Sequence, residues 1–255
     1  MVNNQNPLQP TVEVCLSPAL AEFISNGGDA IVVVVDILRA TTSMVSALAN
    51  GAESVIPVSS LDEARQLKKQ GFPVAAERDG SILDFADFGN SAFDFENGAV
   101  KGKKLVFSTT NGTVAIETSK KSGTVVIGAF SNISALAGWI NNQHKPVIIL
   151  CSGWKNTFCL EDTIFGGALI EKLTEKGNFA IHTDSSHAAL DLWNLAKKDL
   201  PGYIEKASHR ERLRQLGVDD VLEFSFTPDT AGVVPILIEN ELVDALKFTH
   251  QNPSE

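Results

Sequence analysis

Cysteine is scarce and its count is odd. Cys15, Cys151 and Cys159 are the three in 255 residues, and they lack metal-type spacing. That fits buried thiols in a reducing, cytoplasmic setting better than a disulfide framework. Long apolar runs are also missing. The best, from Ala30, stops at Asp36 after six residues, far short of the roughly 20 that a membrane helix needs. Met1 to Pro10 is polar, without a basic start or an apolar segment, which argues against a secretory signal. Positive charge is in the minority, with 21 Lys and Arg against 31 Asp and Glu and a formal net charge of −10. The one basic cluster, His209-Arg210-Glu211-Arg212-Leu213-Arg214, is interrupted by an acid and reads as a solvated helix face. Neither a nucleic acid nor a membrane is therefore an expected partner.

Familiar catalytic loops are missing as well. There is no G-x-x-x-x-G-K-[ST], no G-x-G-x-x-G and no G-x-S-x-G. No cysteine opens the C-x5-R loop of a thiol phosphatase. Asp36 lacks the second acid, two residues on, that phosphoaspartate hydrolases of the haloacid dehalogenase type use.

What is present is a repeated unit: an apolar strand, a Ser/Thr/Asn/Gly loop, then a helix. Ile31 to Val35 runs into Asp36, Arg39, Thr41, Thr42 and Ser43, followed by an Ala-rich helix closed at Asn50-Gly51. Lys104 to Phe107 runs into Ser108 to Thr113 and a helix. Pro146 to Cys151 runs into Ser152 to Thr157 and a helix from about Leu160 to Glu175. Ser60 with Glu63 marks another helix start. Residues 79–98 fit no period. Further strands are expected at Thr11 to Leu16, Ser54 to Val58, Phe72 to Ala76, Thr124 to Gly128 and Ala180 to Thr183, and an edge strand at Val233 to Ile238, which holds Pro235. Helices are expected at Ser185 to Ala196 and Ser208 to Leu216, and a short one from Pro18 to about Gly27-Gly28. An apolar content of 44% and this alternation predict one three-layer α/β/α domain on a mostly parallel or mixed sheet, with a core from about residue 12 to 240. A two-lobed arrangement is the alternative.

In open α/β proteins, ligands bind at strand carboxyl ends and helix amino ends. Asp36 with Arg39, Thr41 and Thr42 suits a phosphate: a guanidinium fork, hydroxyls and unpaired helix N–H groups. Asp36 is a candidate divalent-cation ligand, nucleophile or base. The plainer alternative is a helix cap and a strand-end acid. Ser108, Thr109, Thr110, Asn111, Gly112 and Thr113 form either an anion-cradling nest or a turn with a cap. Glu161 and Asp162 suit the helix dipole, but Glu161 falls on the buried stripe with Phe165 and Leu169, where an acid needs a cation. Asp162 points about 100° away. Glu77-Arg78 ends a strand and is a further candidate element. His187 and the other histidines read as structural.

Taken together, DILRATTSMVSALANGA, AERDG, DFGNSAFDF, STTNGTVAI, Leu160-Glu161-Asp162 and SSHAALDL resemble the 2-phosphosulfolactate phosphatase (ComB-like) family, from about Val12 to Ile238. The resemblance implies an α/β three-layer fold and a cytosolic, Mg²⁺-dependent enzyme, a homo-oligomer such as a dimer. It would hydrolyse (2R)-phospho-3-sulfolactate to 3-sulfolactate and phosphate on a route to coenzyme M. Two departures stand out. Ala92 follows F-G-N-S where the family usually has Pro. A loop ending in Phe158-Cys159, with Lys155 as its cation, replaces a Gly- and Arg-containing one. The substrate is then a small anionic phosphate ester; the alternatives are a phosphatase for another such ester and a non-catalytic binder of a phosphorylated or sulfonated metabolite. Asp36, Glu161, Asp162 and Glu77 are the metal-ligand candidates. Asp36, Arg39 and Glu161 are the catalytic ones. Arg39, Thr41, Thr42, Ser108 to Thr113 and Lys155 bind phosphate.

Overall fold

The expected alternation is realised as ten strands and ten α-helices among the described residues of a computed structural model, namely 9–24, 28–218 and 221–248. The polar N-terminal stretch lies outside them as far as Leu8, and so does Gly27 at the expected close of the first short helix. The first half of the chain holds β1 (Val12–Cys15), a 3-10 turn (Pro18–Phe23), β2 (Ala30–Val35), α1 (Ala40–Ala49), β3 (Ser54–Pro57), α2 (Leu61–Lys69), β4 (Val74–Arg78), β5 (Ser81–Ile82) and β6 (Lys104–Ser108). There follow α3 (Gly112–Ser119), β7 (Gly123–Gly128), α4 (Ile133–Asn141), β8 (Val147–Cys151), α5 (Leu160–Thr174), α6 (Asp184–Ala196) and α7 (Leu200–Ile204). The chain closes with α8 (Ser208–Gln215), α9 (Leu222–Ser225), β9 (Pro235–Ile238), β10 (Glu241–Asp244) and α10 (Ala245–Phe248).

All ten strands share one mixed sheet, ordered β1-β8-β2-β7-β9-β10-β3-β6-β4-β5. It contains two parallel blocks, β1-β8-β2-β7 and β3-β6-β4. The antiparallel hairpin β9–β10 joins them, with Ile236 opposite Val126 of β7 and Leu242 opposite Val55 of β3. Crossing the hairpin therefore reverses the strand sense from one block to the other.

Layering follows from the period-2 alternation of strands buried on both faces. On one face a Cβ at Gly166 would meet Val14 and Ile149, and one at Gly128 would meet Val33 and Phe165, so α5 packs there. On the other face Cys15, Val32, Ile148 and Leu150 look towards Ala21 and Ile24 and towards Thr118 and Ser119 of α3. Val33, Val34 and Val35 are wholly buried. Gly167 lets α5 approach α6 closely, since a Cβ there would collide with the Ala189 carbonyl. Among the described residues no helix is long and apolar enough to cross a membrane.

Three of the expected features take another form in the structure. β9 is an interior strand rather than an edge. Pro235 is tolerated because it is the first strand residue, where no ladder N–H is required. Ala180 to Thr183 makes a single bridge, Thr11 to Ala180, and not a strand. The basic stretch on α8 is only half solvated: His209, Arg210 and Leu213 are buried.

Asn132 pins the hairpin's approach to β7. Fully buried, it accepts from Ala129 N (3.0 Å) and donates to Ile127 O (3.2 Å) and Val233 O (3.0 Å). Asn132→Leu strands three backbone groups and is expected to lower unfolding free energy by roughly 2–4 kcal/mol in urea titration. A loss below about 0.5 kcal/mol would mean that these groups find other partners.

Candidate functional site

A strand that ends at a polar loop must find partners for its last backbone groups. After β2 the side chains supply them. The Thr41 hydroxyl donates to Asp36 O and accepts from Asp36 N, both at 2.9 Å, and the Thr42 hydroxyl donates to Ile37 O (2.9 Å). Both threonines are buried and lie outside the cavity lining described below. The residue at the N-cap of α1 is Arg39, which makes no side-chain cap bond. Asp36 Oδ1 accepts from Ala40 N (3.2 Å). Further along α1, Ser43 donates to Asn90 O (3.1 Å) and Ser46 to Ala92 O (2.7 Å). These bonds hold the irregular 79–98 segment against the helix.

The junction after β6 is built similarly. Thr109 and Thr113 bond reciprocally, each N–H donating to the other's hydroxyl at 3.3 Å. Thr110 N donates to Glu77 Oε1 (2.8 Å) and Gly80 N to Glu77 Oε2 (2.7 Å), so both Glu77 oxygens are engaged. Ser108 accepts from Arg78 (3.0 Å). Gly112 has no side chain because Asp36 Oδ2 would lie 3.1 Å from its Cβ and Ala40 would obstruct it. That close approach brings the second junction against the first.

The third junction, β8 to α5, completes the set. Asp162 accepts from Ile37 N (2.9 Å) and from Gly153 N (3.1 Å). It does turn away from the Glu161 stripe, but into the β2 loop, and it is as buried as its neighbour. Glu161 Oε1 accepts from His209 Nδ1 (3.0 Å), while Glu161 Oε2 has no hydrogen-bond partner. Lys155 N donates to Asn111 Oδ1 (3.1 Å). Its ammonium group pairs with Asp79 (3.1 Å) near the surface.

These loops surround a narrow cavity of about 20 Å³, lined among others by Asp36, Arg39, Glu77, Asn90, Asn111, Trp154, His209 and Arg212. It adjoins a cleft of about 430 Å³ with which it shares Arg39, Gly80 and Asn90. A larger hollow, about 670 Å³, lies between α5 and α6 and involves none of the three junctions. Of the sequence candidates, Asp36, Arg39, Glu77 and Asn111 reach the cavity. Glu161 is joined to it through His209. Asp162, Ser108, Thr109, Thr110, Gly112 and Thr113 shape its walls from behind.

Trp154, His209 and Arg212 were missed as site residues. The Arg212 guanidinium lies 3.1 Å from the Trp154 ring centroid, and the two aromatic rings of Trp154 and His209 are 5.5 Å apart. Arg212 Nη2 lies 3.4 Å from His209 Nε2, which fits donation to that nitrogen and a hydrogen on Nδ1. A signal was available: His209, Arg212 and Leu213 fall at i, i+3 and i+4, one face of a helix.

So many acids in one place alter their proton affinities. Burial, opposed by His209 and the Ala40 N–H and reinforced by Glu77 and Glu161, pushes the Asp36 carboxyl from 3.8 up to about 6. Burial, then Glu161 and Asp36, push Asp162 well above the usual carboxylate range, against its two N–H donors. Burial lowers the Arg212 guanidinium, while Asp79 and Glu77 counteract it.

A family model described as 2-phosphosulpholactate phosphatase matches residues 16–240. Among similar proteins, a probable 2-phosphosulfolactate phosphatase of Caldanaerobacter subterraneus is 36% identical over 210 residues, covering 81% of this chain and 87% of that protein. One of Prochlorococcus marinus is 40% identical over 198 residues, covering 74% and 80%. One of Thermotoga maritima is 32% identical over 211 residues, covering 83% and 90%.

The Asp36 shift has a stability consequence. The folded state holds this proton up to about 6 and the unfolded chain only to 3.8. Its contribution is therefore favourable below that window and lost as pH rises through it, by at most about 3 kcal/mol. Asp36→Asn removes the dependence. Denaturant titrations should show the variant gaining on the wild type as pH rises from about 4 to about 6.5. A pH-independent difference would contradict a raised proton affinity at Asp36.

Proposed function

The chain belongs to the 2-phosphosulfolactate phosphatase family, and we propose that it hydrolyses (2R)-phospho-3-sulfolactate to 3-sulfolactate and phosphate with Mg²⁺, on a route of the coenzyme M type. The observation that carries the reading is the meeting of a buried carboxylate, Asp36, with two guanidinium side chains, Arg39 and Arg212, at one cavity. A cytoplasmic homodimer is part of the same reading. Three reduced thiols suit that compartment.

The donor set fits Mg²⁺, which takes one or two carboxylates and completes its shell with water and phosphate oxygens. Glu77 and Asp162 already direct both oxygens at backbone N–H groups. Asp36, at the cavity, and Glu161, with an unpartnered buried oxygen, are the residues that would hold the ion. What it supplies when bound is charge neutralisation at the phosphoryl group and a more acidic water.

The chain's own residues provide the rest. Arg39 presents a planar fork to phosphoryl oxygens at the start of α1, where helix N–H groups also favour an anion. Asn90 and Asn111 offer amide donors at the same wall. Asp36, whose raised proton affinity still leaves it ionised at neutral pH, supplies the carboxylate that the ion and the attacking water call for. Arg212, backed by Trp154, receives the sulfonate end of the substrate. Aimed at developing charge in a site shielded from water, such groups are the main resource of phosphoryl transfer.

Phosphate release from 2-phosphosulfolactate should require Mg²⁺ and stop with chelator. Undiminished activity in chelator would remove the metal from the reading. Asp36→Asn should lose at least about 100-fold in kcat, about 2.7 kcal/mol, and Arg39→Lys should also be costly because the fork is lost. Arg212→Gln should raise KM for phosphosulfolactate more than for phospholactate, which lacks the sulfonate. An equal effect on both would move Arg212 to the phosphoryl end.

A further inference from the structure

Cys159 stands at the N-cap of α5, Glu161 two residues into that helix, and His209 on α8. Their Sγ, carboxylate oxygen and ring nitrogen lie within 4.8 Å of one another, and all three side chains are buried. Among the described residues this is the one group of three potential ligands so close together. The mechanism above has no role for the cysteine. A second observation is independent of that proximity: Glu161, 1% exposed, has one carboxylate oxygen, Oε2, without any hydrogen-bond partner. A buried carboxylate oxygen left so is costly unless a cation or donor can occupy the place.

We propose that Cys159, Glu161 and His209 form a binding site for a thiophilic divalent cation of the Zn²⁺ class. The donor chemistry selects it. One sulfur, one imidazole and one carboxylate suit Zn²⁺, whereas Mg²⁺ favours an all-oxygen shell. Zinc bonds of about 2.0–2.3 Å place tetrahedral ligand atoms roughly 3.3–3.8 Å apart. The three donor atoms, within 4.8 Å of one another, bracket that spacing: the hydrogen-bonded pair Glu161 and His209, at 3.0 Å, opens slightly to admit the ion, and the others draw in. Three protein ligands leave a fourth position, and His209 borders the water-sized cavity through which an ion would enter. Burial, with Glu161, Asp162 and Asp36, pushes the Cys159 thiol up. Uptake therefore expels the thiol proton to solvent and moves the His209 hydrogen from Nδ1 to Nε2, which gives up the Arg212 contact, and binding weakens as pH falls. Occupancy also takes Glu161 away from Mg²⁺. Zn²⁺ thus inhibits the Mg²⁺-supported reaction, a corollary that rests on the proposed function, whereas the binding does not.

The test uses the full chain with its metals removed by chelator and dialysis, titrated with Co²⁺ as a spectroscopic substitute and then with Zn²⁺. The expected result is a thiolate-to-cobalt charge-transfer band that Zn²⁺ abolishes. The band persists in Cys151→Ser and Cys15→Ser and is lost in Cys159→Ser. Glu161→Gln and His209→Gln should weaken Zn²⁺ binding at least about 100-fold, since even outer-shell losses cost about 10–100-fold. Circular dichroism and thermal melts establish that each variant is folded. No charge-transfer band in the folded wild type, or a band that survives Cys159→Ser, overturns the proposal. If the protein does not hydrolyse phosphosulfolactate, the spectral result still decides the site.

Discussion

Two buried carboxylates that take no direct part in the proposed chemistry hold the site together. Asp162 accepts from the backbone after β2 and the backbone after β8, and Glu77 from the loop after β6 and the turn after β4. Strand ends leave N–H groups without ladder partners, and a carboxylate satisfies two of them with the stronger, charge-assisted kind of bond. Asp162 thereby ties two neighbouring junctions of one parallel block. Glu77 does the same in the other block. Gly112 then lets the two blocks meet at Asp36. The bracing has a cost, because acids crowded in a buried place raise one another's proton affinity. Asp36 and Asp162 both show it.

The distinction between bracing and reacting acids was not legible in the sequence. Asp36, Glu77, Glu161 and Asp162 are four acids at strand ends or helix starts, and residue type alone makes each a ligand candidate. Only the partners of their oxygens separate them. The strand-loop-helix units were legible because they are local: a branched apolar run, a polar loop and a helical stripe lie within about 20 residues. The hairpin β9–β10 was not, since its role depends on pairing with Val126 and Val55, more than a hundred residues away. Pro235 looked like an edge marker and proved to be a strand start.

The face of α8 shows the same limit. A run of three arginines and a histidine in an acidic protein suggests solvation, and Arg214 does lie outside, paired with Glu205 and Glu211. About half a helical turn away, His209, Arg212 and Leu213 lie on the opposite side, against Trp154 and Glu161. Composition described that segment correctly on average and wrongly at the residues that matter. The same holds for the cysteines: no linear spacing marks Cys159 and His209 as neighbours, because 50 residues and three helices separate them.

Charge explains why this geometry is needed. A chain of net charge −10 repels an anionic ester at long range, so attraction must be local. Lys155 contributes little, being paired with Asp79 at the surface. Arg39 and Arg212 line the cavity, one from the start of α1 and one from α8. A cavity of about 20 Å³ holds roughly one water, whereas the adjoining cleft of about 430 Å³ falls in the range of small-molecule sites, roughly 300–1,000 Å³. The space that suits a small phosphate ester is thus the cleft, and the residues it shares with the inner cavity, Arg39, Gly80 and Asn90, stand between the two. Arg39 is the cation common to both. Arg212 lines only the inner space, where α8 and the Trp154 ring fix its position.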